Sequence, residues 1–564
     1  TRFSGLDSAP QQIIVVAKAD HRRFASWLDM SPQAARQIAD VGSRSARSLV
    51  ALASISGLEP SSRDRVRRQA ILAHDTRMAI LDVQVVATSL ATIQEALNIA
   101  QDQMSWIQTS YLIAEIIAIP LTGFLTRLLT MRWLFVVAVS VFTAASIACA
   151  MSGSFTSLIA WRIVQGFSGG TLIPVVFSAV FLLFPLRLQP LATTIAGVLA
   201  VLAPTVGPVV GGWITSTYSW HWLFLINVVP GIIAASVATL SLRKERTSFD
   251  LIRHFDVFSL ALGAVALAAL EIGIKEAPKR GWTSPIAAGL LALCLITAVI
   301  FVVRVLRSPN PLVNLGTFRD RNFSIGCLFS FVLGTGLFGS IYLMPVFLAY
   351  IRAHNALEIG EIMLVTGVAQ LIAAPVAAFL VRRVDERLLT AFGFLLFAIG
   401  LGLSTVQTKA TDFDEMFWPQ LVRGTAIMFC ILPPTQLALG HLAKSAIDDA
   451  SGLFNLMRNL GGAIGIALID TVIYTRAPEY AQRIINRLMA GDLDTAKAVG
   501  IPPEALATAP LDPEKQALLA SLVDRVAFVD AINDAWALVA VMTFVALFFL
   551  PLARRVPTPA GAAH

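Results

Sequence analysis

From about residue 77 onward, the chain repeats one pattern: some twenty apolar residues almost free of charge, then a short polar break. About 20 residues at about 1.5 Å each cross the roughly 30 Å hydrocarbon layer of a bilayer. Windowed hydropathy places fourteen such stretches. They lie at about 77–97, 106–127, 132–152, 156–183, 191–214, 219–242, 257–275, 284–306, 323–350, 357–381, 388–407, 414–440, 449–475 and 531–552. Lipid gives no partner to backbone N–H and C=O groups, so a spanning chain is helical or a closed barrel. A barrel shows shorter segments of alternating polarity, and these stretches do not alternate. The sequence predicts an all-α polytopic membrane protein. Composition agrees: 56% of the 564 residues are hydrophobic and 14% are charged, against about 25% charged in soluble domains.

The net charge of +7 does not point to nucleic acid, because Lys and Arg gather in the short loops, as in cytoplasmic loops of membrane proteins. Arg127 and Arg132 flank the second loop; Arg243, Lys244, Arg246 and Arg253 fill the sixth; Arg382, Arg383 and Arg387 fill the tenth; Arg554 and Arg555 follow the last span. The first and third loops, NIAQDQMS and AMSGSFTS, carry neither Lys nor Arg. The seventh, with Lys275, Lys279 and Arg280, is the exception. This pattern predicts that both termini are cytoplasmic. Residues 1–75 are Arg-rich and read as a basic amphipathic helix on the membrane surface or as a poorly ordered extension. They lack the apolar core and cleavage site of a secretory signal. Cys149, Cys294, Cys327 and Cys430 each sit in an apolar stretch and read as buried hydrophobes. No metal-ligand spacing, nucleophile elbow or phosphate-binding Gly loop occurs, so neither a cofactor nor a metal is expected, and nothing supports an embedded enzyme.

Ionisable groups at membrane depth cost several kcal/mol. The candidates are Asp82, Glu115, Arg162, Glu271, Arg423 and Arg458, with Glu361 near the outer end of its span. A carboxylate in a dry cavity resists ionisation, so it can take a proton from one side and release it to the other when hydration changes. The alternative is a fixed Arg–carboxylate pair that ties helices together, which suits Arg162 and Arg458. Asp82 and Glu115 have no basic neighbour in their own spans and read as proton sites. A faint internal repeat is visible. WRIVQGFSGGTLIP and QLVRGTAIMFCILPP each carry an Arg (Arg162, Arg423), then Gly166 or Gly424, then Pro174 or Pro433 and Pro434. Such paired halves mark repeat-built transporters.

Residues 203–212, APTVGPVVGG, put Pro204 and Pro208 with Gly207, Gly211 and Gly212 inside one apolar stretch. Ala203, Gly207 and Gly211 are one turn apart, a spacing that lets two helix backbones touch. The prolines free carbonyls and bend the helix. This stretch resembles the antiporter motif of the major facilitator superfamily. Other segments agree in order. LDVQVVATSLATI, with Asp82, resembles the first span of the fourteen-span drug:proton antiporters. Trp106, Tyr111, Pro120 and Gly123 match the second span, and Arg162, Gln165 and Gly166 the fourth. WHWLFLINVVPG resembles the sixth span of the EmrB/QacA type, and MRNLGGAIG matches the thirteenth. There are departures. Arg127 stands where that family has the acidic residue of its cytoplasmic gate pair. Gln84, Ala87 and Ala91 replace Thr, Asn and Pro; His221 sits where Arg is common; Glu115 is an addition.

The resemblance implies two six-helix bundles with two extra central spans. Its expected divisions are an extension at 1–75, an N-terminal bundle at 76–242, extra spans at 243–315, a C-terminal bundle at 316–552 with an external loop at 477–530, and a tail at 553–564. It implies proton-driven export of amphiphilic compounds from the inner membrane by alternating access. Asp82, Glu115 and Glu361 would couple protons; Arg162, Arg423 and Arg458 would tune them. The 477–530 loop would cap the outer mouth or dock a periplasmic adaptor that leads to an outer-membrane channel. Export of one lipid-like metabolite or siderophore, and proton symport, remain alternatives. Gly207→Leu is expected to lower transport much more than membrane insertion, because a large side chain forces the touching backbones apart. Unchanged transport at unchanged expression would show that this face meets lipid alone.

Overall fold

The computed structural model describes residues 82, 85–86, 90–99, 106–183, 189, 192–193, 207, 210–215, 217–241, 256–308, 311–381, 383–490, 492–500 and 513–554. The 1–75 extension, Pro204 and Pro208 lie outside them, as do about half of the expected span 77–97 and most of 191–214. The described residues form eleven helices long and apolar enough to cross a membrane.

The N-terminal half contains α1 (Leu90–Ala96), α2 (Trp106–Ala150), α3 (Phe155–Leu183), α4 (His221–Leu225) and α5 (Val228–Ser241). Helix α2 supplies two expected spans. Thr130, with φ 68° and ψ 156°, breaks its helical path, and the chain folds back there, since Tyr111 and Phe142 both pack at Gly169. Next come the extra hairpin, α6 (Val257–Arg280) and α7 (Pro285–Arg307), and then the C-terminal half. That half holds α8 (Arg321–Tyr350), α9 (Ala356–Val381), α10 (Glu386–Gly402), α11 (Phe413–Leu439), α12 (Ile447–Met489), α13 (Leu493–Val499) and α14 (Pro513–Ala546). The helices begin where the sequence places caps. Asp256, Ser284, Asp320 and Asp385 accept from backbone N–H groups of the first turn, and Asp412 forms a capping box with Glu415. Each such cap contributes about 1 kcal/mol.

Each half has its own core. Tyr111, Phe135, Phe142 and Phe177 anchor one part of the N-terminal core; Phe329, Phe347, Phe394 and Trp536 anchor the C-terminal core. Glycines set the closest helix crossings, at Gly166 and Gly170 on α3 against the α2 backbone and at Gly461 on α12 against the α8 backbone. The extra hairpin straddles the halves. Lys275 on α6 reaches Thr109 on α2, and Trp282 donates to Thr471 on α12 at 3.0 Å. Helix α7 is mostly uncovered by protein, as suits a helix facing lipid.

Two expectations change. Within the expected external loop at 477–530, the described residues are largely helical and continue the neighbouring spans. Helix α12 runs unbroken past Pro478 to Met489, and α14 begins at Pro513, well before the expected span. With α13 they enclose a small core of Ile484, Ala496, Val499, Val523 and Ala527, and Tyr480 donates to Asp534 at 2.9 Å. A helix that leaves the membrane turns amphipathic, so hydropathy reads its continuation as a loop. The second change concerns Arg127. At the end of the bundle that carries Arg127, Arg383, Arg387 and Arg554, the halves close on one another. Arg127 pairs with Asp449 at the start of α12 at 2.7 Å. Ser451 donates to the Pro174 carbonyl at 3.0 Å and Gln436 to Thr193 at 3.3 Å. Leu121, Phe124 and Phe181 share a core with Phe323, Leu453 and Phe454. A charge pair is present, with its cation near the break in α2 and its acid at the start of α12.

Arg127→Asp is expected to destabilise this closed arrangement by about 1–3 kcal/mol, between exposed and buried pair values. Arg127→Asp/Asp449→Arg should recover most of that loss. Thermal unfolding of the purified variants measures both, and a double variant no better than the single one would show that the pair carries no coupling.

Candidate functional site

The interior of the N-terminal half gathers around Asp82, which is wholly buried. Arg162, also wholly buried, donates from Nη1 to Asp82 Oδ2 at 2.5 Å and to Gln165 Oε1 at 2.7 Å, and from Nε to the Ile107 carbonyl at 3.1 Å. Gln165 donates from Nε2 to Asp82 Oδ1 at 3.0 Å and to Ser146 Oγ at 2.8 Å. Asn227 donates to Asp82 Oδ1 at 2.6 Å. The Arg162 guanidinium lies 4.3 Å from the Tyr111 ring centre. Local sequence explains the assembly. Arg162 and Gln165 are three residues apart on α3 and share one face. Gly166 and Gly170 bring that face against the α2 backbone at Tyr111 and Glu115. Asn227 occupies the break between α4 and α5, where a polar side chain can turn inward.

Asp82 is therefore not a free carboxylate. Its partner comes from another span, which inspection of its own span misses. A buried pair of this kind resists the loss of either member: removing one leaves an uncompensated charge, at about 3–5 kcal/mol.

Glu115 lies one turn beyond Tyr111 on α2, is buried, and has no hydrogen-bond or ion-pair partner among the described residues. The charged groups close enough to act on it are Arg162, Glu271 and Asp82. Glu271 arrives on the extra hairpin, one turn before Lys275. The structure thus joins Asp82, Glu115 and Arg162 and brings in Gln165, Asn227 and Ser146, while Glu271 acts on Glu115 from the extra hairpin. Gln165 and Asn227 belonged to motifs already recognised, but the sequence reading gave them no role; their polarity inside apolar helices was the available signal.

The remaining candidates lie elsewhere. Glu361 is exposed on α9. Arg423 and Arg458 are buried on α11 and α12 with no carboxylate partner among the described residues. Arg458 lies over Phe177 and Phe454, at 5.5 and 5.7 Å, and so sits between the halves. Gly207 and Gly211 are buried and Gly212 is half-buried, all three in helical conformation.

Comparison with known proteins agrees with this architecture. The family model described as Major Facilitator Superfamily matches residues 77–466. The colistin resistance protein EmrB of Acinetobacter baumannii is 39% identical over 395 residues, covering 70% of this chain and 77% of that protein. The multidrug export protein EmrB of Escherichia coli is 31% identical over 399 residues, covering 70% and 78%. The fatty acid resistance protein FarB of Neisseria gonorrhoeae is 30% identical over the same shares. The fold is shared with the human organic anion transporter MFSD10 at a TM-score of 0.56 and 14% identity, covering 87% of this chain and 100% of that one. With its all-helical halves and this matched span, the chain belongs to the major facilitator superfamily, among the EmrB-type drug transporters.

Proposed function

We propose that this protein exports amphiphilic compounds across the inner membrane, driven by inward proton flow, with both termini in the cytoplasm. The observation that carries the reading is the buried Asp82–Arg162 pair beside Glu115, which has no hydrogen-bond or ion-pair partner among the described residues. A proton arriving at Asp82 removes the negative charge that holds Arg162, Gln165 and Asn227 in place. Arg162 must then find another counter-charge, and Glu115 is a carboxylate close enough to interact with it. Protonation thereby changes the packing of α3 against α2 and against the break between α4 and α5. If substrate binding and protonation exclude one another, inward proton movement drives outward substrate movement. The Lys and Arg of the short loops support a cytoplasmic position for the closed end, in which case this arrangement corresponds to the outward-facing side of the cycle. The names of the relatives, colistin resistance, multidrug export and fatty acid resistance, support a range of amphiphilic cargo.

Asp82→Asn is expected to abolish ΔpH-driven uptake into inverted vesicles, because an amide cannot titrate. Glu115→Gln should weaken coupling or narrow the range of compounds moved. Wild-type rates in both variants at every pH from about 6 to 8 would overturn the assignment.

The lobe formed by the ends of α12 and α14 fits the role of a docking site for a periplasmic adaptor. Ile485, Met489 and Leu493 are exposed on it, although its interior is already filled. Deleting residues 480–528 should leave transport in reconstituted vesicles intact and abolish resistance in whole cells. Loss in both assays would assign the lobe to the transport cycle itself, and loss in neither would remove it from function.

A further inference from the structure

Arg423 is the second fully buried guanidinium of the bundle, 2% exposed. It sits where α11 crosses α10, and a side chain at Gly400 would press on its backbone. Its Nη2 meets Met344 Sδ, and its guanidinium lies 5.1 Å from the Trp536 ring centre. Nε and Nη1 have no acceptor among the described residues. Neither does Gln420 Nε2, one turn earlier on α11, nor Trp536 Nε1. The Gln420 oxygen is already used, accepting from Thr366 at 3.0 Å. A fixed positive charge is thus surrounded by donors without acceptors, whereas buried donors are normally satisfied.

The two halves explain what is missing. Arg162 and Gln165 on α3 correspond to Gln420 and Arg423 on α11: the same two residue types, three apart, in reversed order, each pair followed by a glycine at a helix crossing. In the N-terminal half the pair holds the chain's own carboxylate, Asp82. In the C-terminal half no described carboxylate reaches it. Instead a cavity of about 210 Å³ lies beside it, at the end of the bundle away from Arg127, and Arg423 and Gln420 line its wall. Met344, Met416 and Pro419 give that wall apolar surface. Glu415 also lines the cavity, but it is exposed and accepts from the Asp412 backbone N–H at 2.9 Å.

We infer that this cavity binds a small anionic group, in the first place a carboxylate carrying a short apolar body, with Arg423 as counter-ion and Gln420 as second donor. A carboxylate brings two acceptor oxygens to the unfilled N–H groups and a negative charge to the guanidinium. The apolar wall favours a ligand with a hydrocarbon or aromatic body over a bare ion. The same chemistry is met by the headgroup of a carried amphiphile or by a free anion. The inference does not depend on the direction of transport or on proton coupling.

The test uses the purified full chain, titrated calorimetrically with benzoate, acetate and chloride, with benzylammonium as the cationic control. Saturable benzoate binding is expected. Arg423→Gln should weaken it about tenfold or more, and Gln420→Leu severalfold, in line with hydrogen bonds to charged groups. Arg423→Lys should keep part of the affinity. Trp536 gives a second readout: benzoate should change tryptophan emission in the wild type, and Trp536→Phe should remove that change without removing calorimetric binding. Acetate and chloride binding as tightly as benzoate would mark a free-anion site. Benzoate displaced by transported amphiphiles would mark a headgroup site. Either result supports the inference. It is overturned if none of the three anions saturates, if benzylammonium binds equally well, or if Arg423→Gln leaves benzoate affinity unchanged. Should Arg423→Gln fail to fold, unchanged benzoate affinity in Gln420→Leu overturns it.

Discussion

A carboxylate and a guanidinium 2.5 Å apart, neither exposed at all, form the interior of the N-terminal half. Taking two charges out of water is costly, and their attraction offsets that cost only when the remaining lone pairs and protons also find partners. Here they largely do. Gln165 and Asn227 donate to the carboxylate, and the Ile107 carbonyl and Gln165 accept from the guanidinium. Meeting these needs fixes the relative positions of the first span, α2, α3 and the break between α4 and α5. The arrangement of the half is therefore tied to the charge state of one residue. A proton on Asp82 withdraws the acceptor around which four elements are organised, and such an electrostatic event has a structural readout.

That event has a route to the closed end. Helix α2 carries Glu115 beside the pair and Arg127 at the junction with α12, twelve residues apart, or about 18 Å along a helix. Helix α3 carries Arg162 in the interior and, through the Pro174 carbonyl, a contact with Ser451. Two continuous helical segments therefore join the titratable cluster to the contacts that hold the halves together. A shift of α3 against α2 changes both ends of each segment at once. The glycines at positions 166 and 170 make such a shift sensitive to packing, because they leave no side chain between the two backbones.

Much of this was legible in the sequence, for reasons that also mark the limits. The spans could be read because hydropathy responds to removal from water, whether a side chain meets lipid or protein. The boundaries of α3, α7, α8 and α11 fall within a few residues of expectation. That the ends of α12 and α14 continue the neighbouring spans could not be read, since outside the bilayer an amphipathic helix and a polar loop have similar mean hydropathy. At the site, rarity did the work: a charge in an apolar span needs a reason, and that singled out Asp82, Glu115 and Arg162. Pairing was invisible because it joins spans 80 positions apart. The same limit applies to Gln165 and Asn227, whose polarity was plain and whose target was not.

The reversed pair at the closed end shows how one local choice constrains another. Asp448 and Asp449 open α12, where carboxylates interact well with the positive end of the helix dipole. The backbone N–H of Asn314 also reaches Asp449. An acidic residue at position 127 would face the Asp449 carboxylate at contact distance, and like charges at that separation repel strongly where water is scarce. With acids fixed at the start of α12, a cation at position 127 is the choice that attracts. Arg127 is long enough to reach Asp449 while its own side chain stays about one-third exposed, so its charge remains partly hydrated and its desolvation cost low. The physical requirement at this junction is opposite charges on the two halves, strong enough to hold the closed form and exposed enough to release it. Which half supplies the acid is secondary, and in this protein α12 supplies it.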